Sequence, residues 1–92
     1  MDEVIHLQAK LQSIHSTAAS EAKQILNDLV SKIQNPTAST HAQLSFLKQS
    51  LLKEQQQLRA TVLFNVNNQV ALEKLLYIND IINLLYKQMA RL

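Results

Sequence analysis

Asn35-Pro36-Thr37-Ala38-Ser39-Thr40 holds the only proline of a 92-residue chain that contains neither glycine nor cysteine. Proline disfavours helical geometry in the residue before it, and the neighbouring Ser and Thr side chains compete for local backbone hydrogens, so these six residues read as a connection. Thr40 with Gln43 fits a capping box, in which the hydroxyl accepts from the N3 amide and the glutamine returns to the cap amide. This places a second helix from about residue 41. With no other strong stop signal, everything on either side is free to be helix, and a short connection between two long helices makes an antiparallel pair.

Upstream, apolar residues recur at Val4, Leu7, Leu11, Ile14, Ala18, Ala22, Ile25, Leu29 and Ile33. Their mean spacing is near the 3.6 residues of an α-helical turn, which predicts one helix over about 3–34. The stripe narrows between Ser13 and Ser20, where the helix is open to bending or to a close neighbour. Leu11, Ile14, Ala22, Ile25, Leu29 and Ile33 are the candidates for packing within the hairpin.

Downstream, Leu44, Leu47, Leu51, Leu58 and Val62 follow one helical line, with Gln55 as its polar interruption. Leu44, Leu47 and Leu51 complete the hairpin-packing set. A second line, Leu75, Ile78, Ile82, Leu85, Met89 and Leu92, has the alternating spacing of a heptad seam. The 13 steps from Val62 to Leu75 turn the face by roughly 220° at 100° per residue. Asn65, Asn67 and Asn68 lie where that conflict must be resolved. Asparagine enters left-handed geometry more readily than most residues, so a turn over 65–68 is expected, with helices at about 41–64 and 69–91. The alternative is one continuous second arm of about 50 residues, roughly 75 Å long. The fold class is therefore all-α, an antiparallel helical hairpin whose second arm, if broken near 64–68, gives a three-helix arrangement.

The composition is 47% hydrophobic but only 4% aromatic, so the core is aliphatic, and a single domain of this size has a modest core. Small helical scaffolds often gain stability by association. Leu75, Leu76, Ile78, Ile81, Ile82, Leu84, Leu85 and Met89 cover more of the last helix than one neighbour buries, and Tyr86 flanks the seam with its hydroxyl toward water, so on this reading the last helix contacts a partner. Leu75, Ile78, Ile81, Ile82, Leu85, Tyr86 and Met89 are the candidate contacts. An aspartate at Ile82 would then block the partner and leave helicity intact.

Residues 1–31 carry two cations against four anions and residues 32–92 carry seven against three, for a net charge of +2. The cations are scattered singly, unlike the basic face of a nucleic-acid reader. His6, His15 and His41 are too far apart to form an i, i+4 metal pair, and no thiolate site exists without cysteine. Carboxylates are equally dispersed, and no serine or threonine sits in a strained turn, so neither an acid/base couple nor an activated nucleophile is expected. The reading is a non-enzymatic protein without cofactors. The acidic start Met1-Asp2-Glu3-Val4 differs from a secretory leader and no apolar run reaches membrane length, which suggests a soluble cytoplasmic protein.

Leu72-Glu73, then seven residues, then Ile81-Ile82-Asn83-Leu84-Leu85-Tyr86, together with Glu21-Ala22-Lys23 followed by Ile25-Leu26 and Leu29, resembles the small helical-hairpin cochaperones of type III secretion needle subunits, the YscE, SsaE and EscE proteins. The resemblance implies a bacterial cytoplasmic protein that packs on a tetratricopeptide-like chaperone and, through it, helps keep the needle subunit from polymerising before export. It implies Leu72, Ile81, Ile82, Leu85 and Tyr86 as partner contacts and Ala22, Ile25 and Leu29 as hairpin packing. Asn35-Pro36 followed by Leu44 and Leu47 also resembles the turn of needle and inner-rod subunits, although 56 residues after the proline is long for one. A self-assembling coiled-coil scaffold and a small basic DNA-packaging protein are the readings from other classes.

Overall fold

The computed structural model describes residues 2–65 and 67–90, and all of its regular structure is helical. Four helices follow in order: α1 Asp2–Gln12, α2 Thr17–Gln34, α3 Thr40–Phe64 and α4 Gln69–Ala90. The expected end of the last helix at Arg91, and Leu92 of the heptad seam, lie outside the described residues.

The first helix differs from expectation. Instead of one helix over 3–34, the chain breaks at residues 13–16 and α1 folds back along α2 and α4. Ser13 and Ser16 supply the reason. The Ser13 hydroxyl donates to the Lys10 carbonyl at 2.8 Å, and Ser16, with extended backbone (φ −139°, ψ 162°), caps α2 by accepting from the Ala19 amide at 3.1 Å. Serine is weak inside a helix and strong at its N-cap. The same stretch is where the apolar stripe is thinnest.

The connection at 35–39 begins as expected and is capped differently. The hydroxyl of Thr40 accepts from the Thr37 amide at 2.6 Å, so it serves the turn rather than α3. Ser39 holds the cap position without a side-chain cap bond, and the Gln43 amide nitrogen reaches the Ser39 hydroxyl at 3.3 Å. The expected capping box of Thr40 and Gln43 therefore does not form.

Between α3 and α4 the chain turns at 65–68, of which Val66 lies outside the described residues. Asparagines make this turn by hydrogen bonding and not by left-handed geometry, since no described residue has positive φ. The Asn68 amide donates to the Asn65 carbonyl at 3.1 Å, and the Asn68 side chain caps α4 by accepting from the Ala71 amide at 3.1 Å. The turn cancels the 220° conflict between the two stripes by reversing the chain, so both face one core.

Helix α4 is the centre of the fold. Lys48 stands over the Tyr86 ring at 5.4 Å, and the Gln55 amide donates to the Asn79 side-chain carbonyl at 2.5 Å, which fixes α3 antiparallel to α4. Lys10 pairs with Asp80 at 3.3 Å and Glu3 with Lys87 at 4.0 Å, which fixes α1 antiparallel to α4 as well. Helix α2 packs against α4 on the remaining side, while α1 and α3 lie on opposite flanks and do not meet. The result is a flattened body of 43 × 27 × 16 Å. Its core joins Val4, Leu7 and Leu11 of α1 and Ala18, Ala19, Ala22, Leu26 and Leu29 of α2 to Leu44 and Leu51 of α3 and to Tyr77, Ile78, Ile81, Ile82, Leu84 and Leu85 of α4. Ile14, Ile25, Ile33 and Leu47 pack half-buried at its margin.

Ile82 is 4% exposed and Leu85 fully buried. Leu85→Ala is therefore expected to destabilise the chain by about 2–5 kcal/mol in urea unfolding followed by circular dichroism. Ile82→Asp is expected to unfold the isolated chain, reversing the expectation that it leaves helicity intact, because a carboxylate would enter the core without a counter-charge.

Candidate interaction surface

The eight partner-contact candidates divide sharply. Ile78, Ile81, Ile82 and Leu85 are at most 4% exposed and are enclosed by the chain's own helices. They are core residues, which corrects their assignment as partner contacts in this form of the molecule. The physical reason is the break at 13–16: α1 becomes a third neighbour for α4, and three helices cover a circumference that one cannot. Leu72, Leu75 and Met89 are half-buried, and Tyr86 is the one candidate largely open, at 47%. The nine hairpin-packing candidates Leu11, Ile14, Ala22, Ile25, Leu29, Ile33, Leu44, Leu47 and Leu51 all lie in or against the core.

The polar groups around α4 form a seam that sets its register. Lys74 reaches Glu21 of α2 at 2.7 Å and Glu54 of α3 at 2.9 Å, joining three helices through one ammonium. These hydrogen bonds, Glu21 first and then Glu54, outweigh partial desolvation and hold the Lys74 pKa above its ordinary value. The adjacent Glu73 accepts from the Ser16 hydroxyl at 2.7 Å and from the Tyr77 hydroxyl at 2.9 Å, tying α4 to the start of α2. Burial raises the Tyr77 pKa first, and the Glu73 hydrogen bond and charge add to it. Among the described residues no group of three or more His, Asp or Glu side chains is placed to hold a metal ion, and His6, His15 and His41 are all exposed.

Open apolar surface lies elsewhere, at the end of the molecule where α3 turns into α4. Leu63 is 80% exposed, Phe64 92% and Val70 62%. Helix α3 is 25 residues long, and toward its end Leu58 and Val62 are only half-buried. Sequence reading passed over these residues because Leu63, Phe64 and Val70 fall off the two apolar lines. That departure was itself the available signal, since large apolar side chains off a helix's buried stripe have no internal neighbour. Phe46, also off the line and 78% exposed, borders a shallow groove between α2 and α3 with Asp28, Lys32, Ala42, Gln43, Leu47 and Ser50. A second groove between α1 and α4 has Leu7 and Leu84 at its base and the two ion pairs on its rims.

No protein-family model, curated protein or solved structure matches this chain. Among the described residues no helix is long and apolar enough to cross a membrane.

Two measurable consequences belong to the seam and the core around it. Lys74 and Tyr77 both keep their protons longer in the folded chain than in the unfolded one, so their contribution is complete below about pH 10 and is lost as pH rises through the raised values. Thermal stability is expected to fall above about pH 10, and Tyr77→Phe to make that fall shallower while lowering stability at neutral pH. Gln88 is 6% exposed, and its amide nitrogen finds no acceptor among the described residues. Gln88→Leu is expected to raise stability by about 1 kcal/mol in the same urea titration, because the buried donor goes and the volume is kept.

Proposed function

We propose that this chain is a helical binding protein that docks a partner through the apolar end of its α3–α4 pair, and that the partner is the tetratricopeptide-like chaperone of a type III secretion needle subunit. The observation that carries the binding role is the exposure of Leu63, Phe64 and Val70 together at the α3–α4 turn. The other exposed large aliphatic and phenylalanine side chains, Ile5, Phe46 and Leu76, stand singly on α1, α3 and α4. A single exposed leucine means little, whereas several large apolar side chains gathered at one end mark a contact surface. The choice of partner rests on the resemblance of Leu72-Glu73 and of the run from Ile81 to Tyr86 to the needle-subunit cochaperones. In that role the chain covers apolar surface of the chaperone, which in turn shields the needle subunit in the bacterial cytoplasm, and Leu72 and Leu75, half-buried on α4, border the docking end.

The contact surface is thereby moved from the seam of the last helix to its beginning and to the end of α3. This placement agrees with a closed core, because side chains that already point to solvent are removed from water on binding without unpacking the chain.

The test is co-expression with a needle-subunit chaperone of the tetratricopeptide type, followed by copurification and light scattering. A stable complex is expected for the natural chain and loss of copurification for Leu63→Ser/Phe64→Ser. The stability of the isolated double variant should change by no more than about 0.5 kcal/mol per site, since both positions are exposed. An unchanged complex would exclude this end as the interface. Filaments of the isolated chain would favour a needle or inner-rod subunit, and a defined homo-oligomer blocked by the same variant a coiled-coil scaffold.

A further inference from the structure

We propose that residues 13–16 are a hinge and that α1 exchanges between two copies of this chain, each copy seating its α1 on the α4 of the other. The observation that carries this is a conflict between sequence and structure. The apolar stripe Val4, Leu7, Leu11, Ile14, Ala18, Ala22, Ile25, Leu29, Ile33 keeps helical spacing straight through the break, and Ser13-Ile14-His15-Ser16 contains no glycine or proline. The backbone there takes no positive φ that a helix would have to undo. One apolar face thus runs unbroken from α1 into α2 and fits a straight helix about 50 Å long for 33 residues, which the folded monomer interrupts.

What holds the interruption is slight. The Ser13 hydroxyl donates to the Lys10 carbonyl at 2.8 Å, the Ile14 amide to the Leu11 carbonyl at 3.2 Å and the Lys23 ammonium to the Ile14 carbonyl at 3.4 Å, and Ser16 makes its cap bond and its bond to Glu73. Straightening the hinge gives up the Lys23 and Ser16 bonds and replaces them with the backbone bonds of about one helical turn.

What α1 contributes to the fold is fully portable. It is anchored by Val4, Leu7 and Leu11 against both α2 and α4, paired by Lys10 to Asp80 and by Glu3 to Lys87, and makes no contact with α3, so the exchanged α1 meets α2 and α4 of the other copy together. A second copy's α1 presents the same three anchors and the same two charges in the same order, so the occupant of the α4 face is specified by its own complementarity. Exchange of an identical element keeps every interface contact and changes only the hinge, which makes it a low-cost route to a dimer. This association is separate from the α3–α4 end and does not depend on the partner proposed above.

The hinge is tested in the full-length chain with two opposed variants. Ser13→Ala/His15→Ala/Ser16→Ala favours the straight helix and removes the cap, whereas His15→Pro forbids the straight helix. Light scattering over a range of concentrations is expected to show a larger dimer fraction than the natural chain for the triple variant and a smaller one for His15→Pro. The identity of the dimer is read by mixing isotope-labelled and unlabelled protein, refolding together, and coupling the Lys10 ammonium to the Asp80 carboxylate with a carbodiimide. Mass spectrometry of the dimer fraction should find about half of the coupled peptides mixed in isotope, the limit for random exchange between copies. A triple variant that stays monomeric at every concentration would overturn the proposal. So would a dimer whose Lys10–Asp80 couplings are all within one isotope. If circular dichroism shows the triple variant unfolded, the natural chain refolded at high concentration and coupled in the same way decides the matter by the same two outcomes.

Discussion

Enclosure of α4 is the constraint on which the rest of the molecule depends. Its buried residues Tyr77, Ile78, Ile81, Ile82, Leu84 and Leu85 span about 160° of the helix's circumference, and the half-buried Leu75 and Leu72 widen that to about 240°, more than a single neighbour removes from water. The chain meets that demand with three neighbours. Helix α3 arrives by the turn at 65–68, α2 lies alongside, and α1 folds back at 13–16 to close the last sector. The two ion pairs between α1 and α4, whose side chains are all at least 40% exposed, guide that closure more than they stabilise it. The weight falls on Val4, Leu7 and Leu11, each worth roughly 1.5–3 kcal/mol when fully removed from water.

Much of this arrangement was legible from apolar spacing alone. The stripes of α2, α3 and α4 identify their buried faces, and the rotation between Val62 and Leu75 shows a conflict that Asn65, Asn67 and Asn68 place at 65–68, where a turn and a continuous arm were both open from spacing. The break at 13–16 was not legible, for a physical reason: periodicity records which face is apolar and is silent about whether the axis continues. Serine's preference for capping supplied only a weak local signal there, and the decision belongs to the long-range demand of α4 for a third neighbour. The same missing neighbour made Ile78, Ile81, Ile82 and Leu85 read as surplus apolar surface. Excess hydrophobicity on one helix can be judged only against the full set of helices that surround it.

The polar seam shows how an aliphatic core without large shape markers still fixes its register. Leucine and isoleucine pack well in many registers, since volume and pattern are kept when helices slide by a turn. Charge and hydrogen bonding discriminate where packing does not. Lys74 between Glu21 and Glu54, Glu73 between Ser16 and Tyr77, and Gln55 on Asn79 each tie α4 to a specific level of α2 or α3. A slide of one turn, about 5.4 Å, would break all of these at once. Tyr77 is the only aromatic side chain in the core, and its hydroxyl is used for this purpose.

On the proposed binding role, a closed core with an open apolar end divides the labour between folding and recognition. Residues that stabilise the chain cannot be offered to a partner without unfolding it, so binding surface must come from side chains the fold does not need. Leu63, Phe64 and Val70 meet that condition because they fall off the apolar lines of α3 and α4 on either side of the turn that joins them. The cost is exposure of large side chains to non-specific association, and it falls on the isolated chain alone, since the exposure ends when a partner covers that end.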